Sequence, residues 1–187
     1  MDTRSTLIHE ATLLLRSRGY SGFSYADLAK RVGIRKASIH HHFPSKEDLG
    51  VALVESYSEE FLRALADIWA RGGDAPSMIT EYFDLYRESL RQGLACLCGM
   101  LASEVEIAPA PVAKGVAQFM RANRQWLSRV ISRGIDQGQI AGHWQADDAA
   151  EVLLNVSQGA LLVARASDES SGFDRAVQAQ LRCLVAT

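Results

Sequence analysis

Between Arg35 and Lys46 the chain reads RKASIHHHFPSK, and most of its polar residues suit contact with a nucleic acid. Arg35, Lys36 and Lys46 carry cations, Ser38 a hydroxyl, and His40, His41 and His42 three consecutive imidazoles. Phosphates are met by cations, hydroxyls and helix N-termini, and base edges by side chains on a groove-facing side. Consecutive histidines also suggest a metal. On a helix, however, neighbours diverge by about 100° and do not converge as an i, i+4 pair does, so this run is not a metal site. Cys96 and Cys98 are two apart, which on a helix points them about 200° away from each other. With Cys183 they make neither a disulfide framework nor a zinc pattern, and reduced thiols in a cytosolic protein are expected. Glu104 and Glu106 share that two-residue spacing and do not form a paired acid and base. No nucleophile motif, phosphate loop or metal ligand set appears. No catalytic residue, metal or cofactor is therefore expected, and the chain does not read as an enzyme.

The elements that must position these residues lie in 24–49, SYADLAKRVGIRKASIHHHFPSKEDL. Tyr25, Leu28, Ala29 and Val32 fall on one face of a short helix. Gly33 stands where a tight turn needs positive φ. A second short helix is predicted from about Lys36 to His42, with Phe43 closing it and Pro44 forcing the break. Ser45, with Asp48 three residues on, resembles a capping box opening a much longer helix. Helix, sharp turn and helix is the layout of a DNA-binding helix-turn-helix.

Composition agrees with that placement. The chain has 187 residues, 48% of them hydrophobic, and a formal net charge of −2. Residues 1–50 carry eight cations against five acids, a net of +3, leaving −5 for the remainder. Four of the five histidines also lie in that first part. A small basic head on an acidic body suits DNA contact at one end. No window reaches the roughly 18 to 20 apolar residues of a membrane span, and no leader opens the chain, so a cytoplasmic protein without membrane contact is expected.

Everything reads helical. A first helix is predicted over Thr3–Arg18 with Gly19 as its stop, and from Ser45 a long helix runs to about Arg71. Asp74 and Pro76 open the next, which stops near Gln92. A helix from about Leu94 to Ile107 is ended by Pro109 and Pro111. Val112 to Gln137, Asp147 to about Ala166, and a last helix after the turn SDESSG complete nine. The fold class is all-α, with a head over 1–45 and a body over 46–187.

The run GYSGFSYADLAKRVGIRKASIHHHFPSKEDL resembles the N-terminal domain of TetR-family transcriptional regulators. The glycine-aromatic pair, the Ser24 cap, Asp-Leu-Ala, Val-Gly-Ile, the His-Phe pair and Ser-Lys-Glu-Asp-Leu fall at that family's spacing. The resemblance implies a TetR-like nine-helix architecture, with a C-terminal ligand-binding and dimerisation domain. It also implies a homodimer whose two heads bind adjacent major grooves of a palindromic double-stranded operator, with half-sites about 34 to 36 Å apart or a multiple of that. Repression released by a small-molecule effector is the usual role, with the last two long helices forming the dimer interface. By the same resemblance Lys36, His42 and Lys46 fall to phosphates, and Ser24 and Tyr25 to backbone contacts at the start of the preceding helix. Ser38, His41 and Arg35 are the residues assigned to base edges. The chain departs at His40, where the family commonly places a phosphate-reaching tyrosine. An imidazole titrates near neutrality, so operator affinity should fall modestly as pH rises from 6 to 8.

For the effector, the aromatic and polar residues of the central helices are the expected lining: Tyr82, Tyr86, Met100, Glu104, Phe119, Asn123 and Trp126. Each also reads as plain core. The segment CLCGMLASEV resembles a stretch of electrophile- and oxidant-responsive family members in which the cysteine matching Cys96 is the sensor. The competing reading packs Cys96 and Cys98 as small buried residues. A different class of function, a ligand-binding or catalytic helical protein keeping the helix-turn-helix only as scaffold, would have no reason to retain the basic face from Arg35 to Lys46.

Overall fold

Caps and turns decide where this chain stops being helix. In a computed structural model describing residues 2–185, nine helices are found among the described residues. They are α1 (Thr3–Arg18), α2 (Tyr25–Val32), α3 (Lys36–His42), α4 (Lys46–Arg71), α5 (Ala75–Arg91), α6 (Leu97–Ser103), α7 (Ala110–Asp136), α8 (Ala146–Ser167) and α9 (Ser170–Leu184). The all-α, nine-helix expectation holds. None of these helices is long and apolar enough to cross a membrane.

The chain forms two compact units, divided within α4 after Glu60 and within α7 after Phe119. The first runs to Glu60 and adds Cys96–Phe119; the second takes Phe61–Ala95 and the chain from Met120 on. The first unit is thus larger than a head of 45 residues, because it also holds the front of α4, α6 and the front of α7.

In the first unit, Leu7, Leu15, Leu28, Ile39, Leu49 and Leu53 are fully buried and knit α1 to α4 together. The Ser24 hydroxyl and the Asp27 carboxylate cap α2 reciprocally, and Gly33 ends it at φ 76°. Ser45 and Asp48 make the same box for α4: Ser45 N donates to Asp48 Oδ2 at 2.9 Å and Asp48 N to Ser45 Oγ at 3.1 Å. Two glycines then set the approach of α4 to α7. A Cβ on Gly50 would lie 2.9 Å from Val112 Cγ2, and one on Gly115 would lie 2.8 Å from Val54 Cγ1.

The second unit centres on aromatic rings. Tyr82 stacks on Trp126 with centroids 5.8 Å apart, Tyr86 lies 5.3 Å from Tyr82, and Phe61 5.4 Å from Tyr86. Around them pack Leu127, Val130, Ile131, Leu153, Leu161 and Phe173, all buried. The Asp74 carboxylate caps α5 by accepting from Ser77 N at 2.7 Å.

Three boundaries differ from expectation, each for a local reason. α6 spans only Leu97–Ser103 rather than Leu94–Ile107, because Cys96 adopts extended angles and its sulfur accepts from Gly99 N at 3.4 Å. Pro111 does not help end α6. It stands in the first turn of α7, where a missing N–H costs nothing. Ser170–Gly172 belong to α9, although SDESSG reads as turn, and Asp168 alone takes left-handed angles at φ 52°.

Candidate nucleic-acid interface

Ile39 determines how α3 is presented. It is fully buried, and at 3.6 residues per turn Ala37 and His41 lie nearly opposite it, with Ser38 and His40 on the flanks. Lys36, Ala37, Ser38, His40 and His41 are exposed, as is Arg35 just before them, and His42 is half-buried. Arg35 and Lys36 have no acidic partner among the described residues, whereas Arg31 pairs with Glu10. Of the groups expected at DNA, the Ser38 hydroxyl, the His40 and His41 imidazoles and the Arg35 and Lys36 cations are thus uncovered.

The residues flanking α3 are tied into the fold. Tyr25 is buried; its hydroxyl lies 2.9 Å from Phe43 O and 2.5 Å from Ser45 O, and burial pushes its ionisation up to about 12. Only its backbone, at the first position of α2, remains for outside contacts. Ser24 is exposed, with its Oγ engaged by Asp27. The His40 ring packs edge-on to Tyr25 at 4.9 Å, and its Nδ1 lies 3.1 Å from Pro44 O. A carbonyl can only accept, so Nδ1 carries the proton and the neutral ring offers Nε2 as an acceptor.

Lys46 is placed differently from expectation. Its Nζ donates to Tyr20 O at 2.6 Å and Phe23 O at 2.5 Å, with both rings 4.6 Å away. Burial holds this ammonium below its ordinary range. Two of the three donors of this ammonium are thus engaged within the α1–α2 connection, and the third is left for an outside contact.

Glu104, expected in an effector pocket, grips the same connection. Its carboxylate accepts from Tyr20 N at 2.7 Å and Ser21 N at 2.9 Å. Partial burial alone would raise this carboxyl, but the Ser21 and Tyr20 donors, with the Lys46 charge nearby, outweigh it and hold the group low. The two partners stand more than eighty residues apart in sequence, so no local pattern marks the pair.

The other effector residues fall into two sets. In the first unit Tyr57 packs on Phe119 at 5.6 Å and hydrogen-bonds to Cys96, with the Arg16 guanidinium 5.6 Å from the Tyr57 ring. Cys96 and Cys98 are buried, and burial pushes both thiols up. Met100 is half-buried. In the second unit Tyr82, Tyr86, Asn123 and Trp126 are buried. Tyr82 and Tyr86 share a 3.2 Å hydroxyl contact, extended by Gln158 Nε2 to Tyr86 at 3.2 Å. Of these residues only Trp126 borders an open groove of about 1030 Å³, whose other walls include Leu62, Trp69, Arg129 and Asp148. Sequence reasoning missed Trp69 and Arg129, which stack 4.5 Å apart. An isolated tryptophan on a long helix carries no signal of such a partner.

A buried hydrophobic pin, a positive-φ glycine turn and an uncovered basic face define a helix-turn-helix DNA-binding protein. The comparisons give the family. Residues 7–53 match "Bacterial regulatory proteins, tetR family", and residues 75–180 match "Tetracyclin repressor-like, C-terminal domain". The chain belongs to the TetR family of DNA-binding transcriptional regulators, which are not enzymes. A TetR-family regulator from Agrobacterium tumefaciens is 34% identical and superimposes with a TM-score of 0.95, covering 98% of this chain and 97% of its own. The transcriptional repressor NemR of Escherichia coli strain K12 is 26% identical over all of this chain and 95% of its own. The repressor DhaR of Mycobacterium sp. strain GP1 is 27% identical over 85% of this chain and 80% of its own.

Proposed function

We propose that this regulator is a cytoplasmic homodimeric repressor that binds a palindromic operator through two α3 helices and is released by a small-molecule effector. The observation that carries DNA binding is the face of α3: six exposed polar or small residues, with Arg35 and Lys36 free of acidic partners among the described residues. Ser38, His41 and Arg35 are assigned to base edges, Lys36, His42 and Lys46 to phosphates, and Ser24 and Tyr25 to phosphates through the N-terminus of α2. Repression is favoured by the two relatives named as repressors. Dimerisation is favoured by α8, which exposes Val163 to 67%, Leu162 to 40% and Val152 to 36%. The domain boundary at 45/46 is retained as the functional division, with α4 serving both parts.

The effector route has two readings. A non-covalent ligand among the tyrosines and Trp126 agrees with their clustered rings and hydroxyls. Electrophile capture at Cys96 is favoured by the Arg16 guanidinium over Tyr57, whose hydroxyl bonds that sulfur, and is opposed by burial.

The test of the DNA reading is selection of genomic fragments on the purified protein, followed by titration of the selected duplex at several salt concentrations. The expected result is sequence-selective binding whose logarithm falls linearly with log salt, by about 0.9 per phosphate neutralised. Absence of selective binding to any duplex, including DNA upstream of its own gene, overturns it.

A further inference from the structure

Lys46 gives two of its three donors to the α1–α2 connection, and the structure places a second cation at the C-terminal end of α3. Arg4, in the first turn of α1, places its guanidinium carbon 5.2 Å from the centroid of the Phe43 ring, the residue that closes α3. Arg4 is exposed and has no acidic partner among the described residues. The carboxylate two residues before it, Asp2, is occupied in capping α1, where it accepts from Ser5 N at 2.7 Å. A guanidinium stacked on an aromatic face keeps its N–H edge available for bidentate contact with an oxyanion.

We infer that Arg4 is a further operator contact, a phosphate-binding cation at the C-terminal end of the recognition helix. The inference rests on the DNA-binding reading above. Seven residues of helical rise separate Lys36 from Phe43, about 10 Å at 1.5 Å per residue. Lys36 and the Phe43 ring beside which Arg4 stands therefore mark the two ends of the Ala37–His41 face. One cation is thus available to the DNA backbone at each end of α3. Arg4 orients and anchors, and reads no base.

The experiment compares wild type with Arg4→Gln and Arg4→Lys on a duplex selected from genomic fragments by the wild-type protein. Fluorescence anisotropy is read between 0.1 and 0.4 M salt. Arg4→Gln removes the contact from both protomers of the dimer, and loss of two phosphate contacts reduces the slope of log affinity against log salt by about 1.8. By the same relation Arg4→Gln should bind about 60-fold more weakly at 0.1 M and only about fivefold at 0.4 M. Its ratio of selected to scrambled duplex affinity should stay unchanged, because a phosphate contact carries no sequence information. Arg4→Lys should keep the wild-type slope. A residue acting only through its packing on Phe43 would give a salt-independent loss, or equal losses in both variants, and either result overturns the inference. So does an Arg4→Gln slope equal to wild type while wild type binds tightly. Failure of wild type itself to bind any duplex selectively overturns this inference and the DNA-binding reading together.

Discussion

A thiol reacts in proportion to the thiolate it carries and to what can reach it. Cys96 is short of both, being buried at the N-cap of α6 and raised by burial against the partial help of Gly99 N–H, Tyr57 and Arg16. Burial raises Cys98 as well, whereas Cys183 is exposed. Each unit by which a thiol's ionisation rises cuts its thiolate tenfold at neutral pH. Native protein treated with a maleimide at neutral pH should therefore gain a single adduct, at Cys183, and three once unfolded. Mass spectrometry counts them, and an adduct at Cys96 in the folded state would move the effector reading to electrophile capture. His40 shows a related residue-level constraint. With Nδ1–H directed at Pro44 O, its other nitrogen donates to a phosphate only when the ring is protonated, which the tyrosine usual at that position does not require.

The connection between α1 and α2 is held from two sides, its N–H groups by Glu104 and its carbonyls by Lys46. Glu104 has a folded-state carboxyl held below its unfolded value, so its contribution to stability is present above the ordinary glutamate range and disappears as pH falls through the lowered folded value. Glu104→Gln should melt below wild type at pH 7, and the two melting curves should converge toward pH 3. A gap that persists at pH 3 would mean that shape, not charge, holds the connection. This pairing marks where sequence reading stops. Ser24, Asp27, Gly33, Ser45 and Asp48 act on neighbours three or four residues away, so α1 to α4 and the face of α3 were legible from spacing alone. Lys46, Glu104 and Arg4 act on residues brought near by folding, and their types announce only charge. The ends of α6 were misread for the same reason: Cys96 and Glu104 leave the helix to make contacts that a hydrophobic period cannot express.

At the scale of the whole molecule, the exposed side of α8 is the feature a lone chain leaves unexplained. Val152, Leu162 and Val163 stand in solvent beside Gly159, around which a Cβ would meet nothing within 4 Å. If a second copy covers this side, Val163→Glu should yield a folded monomer, with unchanged far-ultraviolet dichroism and half the mass in sedimentation equilibrium. Operator affinity should drop by about 100-fold or more, since the two heads no longer bind as a linked pair. A dimeric Val163→Glu protein would place the interface elsewhere.

The facing glycines and valines of α4 and α7 set a mechanical rule inside the first unit. Gly50 receives Val112 and Gly115 receives Val54, so each helix offers one socket and one peg to the other. Axial displacement of either helix drives a stiff, branched side chain into backbone, while a small rotation about the double contact leaves both seated. At this crossing α4 is a rocker rather than a piston.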